Sequence, residues 1–312
     1  MSKQKHMALL LVFYLAIAAC FLFYLIRLDY SQVSAMSLEA SFLAYSVIFA
    51  VIFRYWGVFT WQVILRELEG KQVPGLVPLG AVYAKAWMAR YIPGTVFWIA
   101  GKIYLAQSLG ISKSRLAASS LLEGGMQIVS VISVSLVLLT FDSRLDTMLQ
   151  ELKWFIALVS LVSLTCLLPP VFNRVLAIAY TLVKKSAPGD ELRINLSAIA
   201  KSFLLYACGA LISGISFYFM CRAFYPATDS QHLLYLTGAY NLAGALGMAT
   251  PLLPSGIGVR EGVLFALLAV IFPLEIALSL TVVGRLWSAA IDLLFFLVAS
   301  AAQKFVASPV AQ

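Results

Sequence analysis

Arg260 and Glu261 stand side by side in "PLLPSGIGVREG", residues 251–262, between two stretches apolar enough to enter a bilayer. Two prolines and three glycines in the same segment break any helix there. Broken backbone cannot face lipid, where each unsatisfied N–H or C=O is costly, so the segment must line a protein-enclosed or water-filled cavity. Pro254 helps break the helix, Gly256 and Gly258 let backbone amides converge, a helix can start near Val259, and Arg260 adds a cation at that positive helix end. The chemistry that suits these groups is the binding of an anion such as phosphate. The alternative is structural: glycines for close helix packing and an arginine snorkelling to a headgroup.

A second break, "YIPGT", sets Arg90 just before Pro93 and Gly94. Four more ionisable residues lie in apolar stretches, where a charge at the bilayer centre costs about 2.5 to 3.5 kcal/mol. Lys102 and Glu123 flank the first break, and Arg285 and Asp292, seven apart, share one face of the last helix. Each pair reads either as a structural ion pair or as a substrate or proton site. Arg54 and Lys85 read as snorkelling side chains, with Trp56 and Trp61 as interface anchors.

Other chemistry has little material. Cys20, Cys166, Cys208 and Cys221 fall in apolar spans without metal-type or disulfide-type spacing, and His6 and His232 are far apart. No Ser-His-Asp or Cys-His arrangement is evident, so no catalytic residue, metal or cofactor is expected.

The elements that carry these residues must be membrane helices. The 312 residues are 62% hydrophobic and 12% charged, with a mean hydropathy of +0.93. The net charge of +8 is scattered between apolar spans instead of forming a stripe with interleaved aromatics, which excludes a nucleic-acid partner and makes the cations topology signals. The expected fold is an all-α polytopic membrane protein, one membrane domain over residues 1–312. Six spans are expected: Met7 to Ile26, Leu38 to Leu65, Leu116 to Phe141, Trp154 to about Phe172, Ile199 to Phe224 and Glu275 to Ala302. Lys3 and Lys5 before "IAAC" resemble a lipoprotein signal, but the apolar run continues past Cys20, which favours a retained first span. Gly75 to Gly110 and Gln231 to Pro273 are each cut by a break and read as two re-entrant hairpins. The clear polar linker is "KKSAPGDELR", Lys184 to Arg193.

With the N-terminus inside, twelve cations fall on inner segments against four on outer ones, as the positive-inside rule requires, and the two hairpins enter from opposite faces. A gapless repeat at a spacing of 161 residues supports that opposition. "SFLAY" at 41–45 returns as "SFLLY" at 202–206, Pro93 falls on Pro254, and Gly101 falls on Gly262. Residues 1–150 and 151–312 therefore read as inverted halves, a layout that places a substrate site between discontinuous helices.

"ARYIPGTVFW", Ala89 to Trp98, and "PLLPSGIGVREG" together resemble the two signature segments of the lysylphosphatidylglycerol synthetase transmembrane region, a flippase-like membrane family. The resemblance covers most of the chain and sets Arg90, Pro93, Gly94, Gly256, Gly258 and Glu261 on motif positions; Ser255 departs from it, standing where a second glycine is expected. It implies movement of an anionic, modified or polyprenyl-phosphate-type lipid headgroup between leaflets. Family members that aminoacylate lipid carry a soluble synthetase domain after the membrane part, whereas this sequence ends at Gln312, so that chemistry is not expected. Two other readings stay open: a non-catalytic partner of a cell-envelope glycosyltransferase or lipid-modifying enzyme, and a transporter of soluble solutes or ions. The expected location is the bacterial inner (plasma) membrane with both termini cytoplasmic.

Overall fold

A helix that is apolar all round has no face for water, and lipid accepts only backbone whose hydrogen bonds close within the segment. The computed structural model describes residues 36–69, 73–91, 96–142, 150–184, 195–250 and 256–307, and every regular element in them is helical. In chain order these are α1 (Ala40–Glu69), α2 (Leu76–Met88) with a 3-10 turn at Ala89–Tyr91, α3 (Val96–Ala106), α4 (Lys113–Thr140), α5 (Gln150–Thr165), α6 (Pro169–Lys184), α7 (Leu196–Phe224), α8 (Leu233–Met248), α9 (Val259–Leu268) and α10 (Leu274–Ala307). Side-chain caps mark two of the long starts. Ser112 accepts from the Arg115 amide before α4, and Asn195 accepts from the Ala198 amide before α7.

Among the described residues, α1, α4, α7 and α10 are long and apolar enough to cross a membrane. The molecule is thus an all-α polytopic integral membrane protein. These four helices coincide with the expected spans from Leu38, Leu116, Ile199 and Glu275. The span expected from Trp154 to Phe172 is not one straight helix: α5 stops at Thr165, Pro169 opens α6, and the two are bent by 81°. Proline lacks an amide hydrogen and suits the first helical position, so Pro169-Pro170 restarts the helix instead of continuing it. The span expected over Met7 to Ile26 lies outside the described residues, as do Pro93, Gly94 and Pro254.

Both broken regions divide where prolines and glycines fall, giving the packed pairs α2–α3 and α8–α9. Helix α1 runs antiparallel to α7 along its length. Glu39 N–H donates to Ala223 O (2.8 Å) at one end, Trp56 Nε1 to Leu205 O (2.7 Å) in the middle, and Lys201 Nζ meets Glu67 Oε1 (3.0 Å) at the other. The two pairs of short helices enter from opposite ends of this bundle. Leu79 and Val82 of α2 pack with Trp61, Leu65 and Leu116, at the C-terminal end of α1, whereas Tyr235 and Ala239 of α8 pack on Leu139, at the C-terminal end of α4. Each pair also crosses to the other half: α2 lies on α10 and α8 on α4. Lys113 and Leu274, which start α4 and α10, are separated by the same 161 residues that relate the sequence echoes.

Close approach depends on small residues, since helices in lipid are held by packing rather than by water exclusion. A Cβ on Gly214 would lie 2.2 Å from Thr237 Oγ1, so α7 and α8 meet at a distance that only glycine permits.

Candidate functional site

Where the four long helices meet both hairpins lies a partly open cavity of about 1320 Å³, the open space at its mouth included. Its wall takes Arg54 from α1, Tyr83 and Trp87 from α2, Arg90 from the 3-10 turn, Glu123 and Gln127 from α4, Tyr206 from α7, Tyr240 from α8 and Arg260 from α9. Arg90 and Arg260, 170 residues apart in sequence, thus face one space.

Arg260 is placed by a turn that only glycine can make. Gly256 and Gly258 have φ of +66° and +89°, and a Cβ on Gly256 would fall 2.4 Å from Gly247 Cα. After that turn α9 starts at Val259, as expected, and Arg260 is buried at 8% exposure. One of its nitrogens donates to Tyr240 Oη (3.1 Å), its guanidinium lies 5.3 Å from that ring, and the ring itself stacks on Phe217 at 4.3 Å. No carboxylate pairs with Arg260 among the described residues.

Glu261 has a different task from its neighbour. Its Oε2 accepts the Gly258 amide (2.7 Å), capping α9, and its Oε1 lies 3.3 Å from Arg285 on α10. The first free amide at this helix start is therefore spent on the protein's own carboxylate, and Arg260 is the group left facing the cavity.

Asp292 gathers the first hairpin. Its Oδ1 accepts from Arg54 Nε (2.8 Å) and Trp87 Nε1 (3.1 Å), its Oδ2 accepts from Tyr91 Oη (2.6 Å), and Arg90 approaches at 3.8 Å. Arg90 also lies over the Trp87 ring at 4.5 Å. Arg285 and Asp292 share a helix, but their ion pairs run to different elements, Arg285 to Glu261 of α9 and Asp292 to Arg54 of α1, so the reading of the two as an ion pair with each other is corrected. The snorkelling expected of Arg54 is corrected too, because this side chain is 8% exposed and paired to Asp292 at 2.6 Å. Trp61, expected at an interface, is fully buried with its indole on Ser119 Oγ (3.2 Å), and Trp56 donates to α7. Lys85 does have its side chain exposed beside buried neighbours, in keeping with a snorkel.

The second expected pair does form. Lys102 Nζ donates to Glu123 Oε2, Tyr83 Oη donates to Glu123 Oε1 (3.0 Å), and the rings of Trp61, Tyr83 and Trp98 surround the ammonium at 4.1 to 5.2 Å. With both partners at 2% exposure or less, breaking the pair by Glu123→Gln is expected to cost about 3 to 5 kcal/mol of stability. Adding Lys102→Met should restore part of the melting temperature in detergent; strictly additive losses would show that the two side chains act independently.

Sequence reasoning overlooked Trp87, Tyr91, Tyr206 and Tyr240. Trp87 carried a usable signal, standing one helical turn before Arg90, where its ring can reach the guanidinium. The tyrosines carried none, since the chain holds 14 of them.

Around the cavity Arg54, Arg90, Lys102 and Arg260 face two carboxylates, Asp292 and Glu123, leaving a surplus of two positive charges among the described residues. Among the described residues no group of side chains has the makings of a metal site. A family model described as the lysylphosphatidylglycerol synthase TM region matches residues 8–295. No curated protein matches the chain.

Proposed function

Because the chain belongs to the lysylphosphatidylglycerol synthase TM-region family, a membrane family with a lipid-related function, we propose that its central cavity receives the phosphate of an anionic lipid headgroup and passes it between leaflets. The observation that carries this function is the surplus cation Arg260, buried, held among the described residues by a neutral phenol and ring, and open to the cavity. A buried charge without a counter-ion is costly, so the cavity favours an anion over water or an apolar chain. Arginine's planar fork of donors suits phosphate oxygens, and Arg90 on the facing hairpin supplies a second fork. The action is binding and displacement, with no covalent step and no cofactor. Apolar outer faces on α1, α4, α7 and α10 let acyl or polyprenyl chains stay in the bilayer while the headgroup enters.

The two halves act as inverted repeats that present the headgroup to opposite leaflets. The antiparallel run of α1 and α7, and hairpins entering from opposite ends, support this. If each hairpin returns to its own side, α7 can oppose α1 only when α4 and the bent α5–α6 unit both cross. The cationic ends at Arg66, Lys113, Arg115 and Lys201 then face the cytoplasm, with both termini there, in a bacterial inner membrane. A cell-envelope glycosyltransferase or lipid-modifying enzyme is a fitting supplier of such a lipid.

Two measurements test this. Cysteine labelling is expected to place residues 184–193 in the cytoplasm and residues 142–153 outside; labelling near Lys184 from the outer side would remove the inverted arrangement. Reconstituted protein is expected to speed leaflet exchange of a fluorescent anionic phospholipid above protein-free vesicles, and equal rates would remove the transport function.

A further inference from the structure

The cavity is closed on one side with the help of a ring from outside the bundle of four long helices. Toward the C-terminal end of α1 and the starts of α4 and α7, its foot is an apolar cluster. Ile64 of α1, Leu122 and Met126 of α4, and Ile199 and Tyr206 of α7 meet there with Phe172 of α6. Tyr206 belongs to both places, lining the cavity and packing in the cluster. Phe172 is 5% exposed, and its ring tip lies against α4, where a Cβ on Gly125 would be 3.8 Å from Cζ. The ring therefore reaches between α4 and α7 at the foot of the cavity.

The element that carries this ring is lightly held. Helix α6 restarts at Pro169 after a bend of 81°, so its direction is not fixed by a helix continuous with α5. Phe172 is its one buried side chain among the described residues, whereas Val171, Val175 and Ile178 are 38 to 57% exposed, as suits contact with lipid. Acyl chains are as apolar as the cluster Phe172 fills, so packing alone keeps the ring in place and no hydrophobic force does. In water, undocking would expose an aromatic ring; in a bilayer it exchanges protein contacts for acyl-chain ones.

Two further observations mark a path for lipid here. The Tyr206 hydroxyl is buried with no hydrogen-bond partner among the described residues, a cost that a polar group entering the cavity relieves. The same end of the bundle carries Lys113 and Arg115 at the start of α4, and Arg174 lies on α6 two residues from Phe172. These cations attract anionic lipid to this side of the molecule.

Resting on the transport function proposed above, we infer that the crevice between α4 and α7 is the lateral entrance by which lipid reaches the cavity from the inner leaflet, and that α6 is its gate, with Phe172 as the stopper. The structure shows the gate shut. Swinging α6 outward about the bend at residues 166–168 withdraws the ring and opens a slot from the cationic rim to Tyr206. The headgroup then passes inward to Arg90 and Arg260 while its chains stay in the bilayer.

The experiment follows exchange of a fluorescent anionic phospholipid in vesicles holding the reconstituted full chain. In a chain whose four native cysteines are replaced by alanine, Gly125→Cys and Phe172→Cys are joined by a short, cleavable thiol cross-linker. The bridge is expected to bring exchange down to the protein-free rate, and cleaving it with reductant should restore the rate of the unbridged variant. Phe172→Ala removes the stopper without a bridge and should speed exchange by about fivefold, the scale of one interhelical contact in a membrane. A side chain needed only for structure would instead lose exchange and melting temperature together. Exchange that survives the bridge, or that fails to rise in Phe172→Ala, would overturn the gate while leaving the transport function standing. Wild-type exchange no faster than in protein-free vesicles would overturn the transport function and the gate with it.

Discussion

Replacing Arg260 with glutamine is expected to cut leaflet exchange of an anionic phospholipid by at least tenfold and toward a hundredfold, the worth of one or two charge-assisted hydrogen bonds. Protein stability should stay level or rise. Among the described residues this cation is compensated by a phenol at 3.1 Å and a ring, so removing the charge relieves a desolvation cost and breaks no ion pair there. A structural arginine would behave in the opposite way, losing stability first and transport only as a consequence. Arg260→Lys keeps the charge but loses the fork and should retain part of the exchange. Arg90→Gln is a less clean probe because Arg90 also approaches Asp292, so some loss of stability should accompany its loss of transport. Full exchange in both glutamine variants would take phosphate binding out of the function and favour a partner of a lipid-modifying enzyme in its place.

The second large effect is on stability. Asp292 is the shared acceptor for Arg54, Trp87 and Tyr91, which reach it from α1, α2 and the 3-10 turn, and its side chain is fully buried. Asp292→Asn leaves Arg54 as a buried cation without its counter-ion, at a cost of about 3 to 5 kcal/mol, seen as a lower melting temperature in detergent. Added anionic phospholipid should return more of that loss in the variant than it adds to the wild type, because Arg54 then joins Arg260 as a cavity cation with no carboxylate among the described residues, and ligand binding stabilises the state that binds. Replacing both members of the pair, Arg54→Met with Asp292→Leu, should recover much of the stability by removing both buried charges together. An unchanged melting point for Asp292→Asn would show that the first hairpin is held by packing alone.

Much of the site was legible in the sequence because breaking residues and charges are rare where every neighbour is apolar. Gly256 and Gly258 announced the turn, Val259 the helix start, and Arg260 the cation placed there. Lys102 and Glu123 were recognisable as partners, since each flanks the first hairpin and a buried charge needs its opposite. Glu261 was misread in part: it lies in the motif, yet it faces the Gly258 amide and Arg285 instead of the cavity.

The sequence by itself determined the all-α membrane class, four of the long helices and the two places where helices break. Each follows from local chemistry: lipid demands self-satisfied backbone, and proline and glycine interrupt it wherever they occur. Only the tertiary structure decided which charges meet. Spacing along one helix shows that Arg285 and Asp292 share a face, but that face crosses several neighbours, and within the middle of α10 one residue finds Glu261 while the other finds Arg54, 238 positions away in sequence. The same holds for Trp61, aromatic and so a fair interface anchor, whose burial depends on α2 and α4 closing over it. A partner across the bundle is chosen by how helices pack, and packing is a property of all the faces at once, which no single stretch of sequence contains.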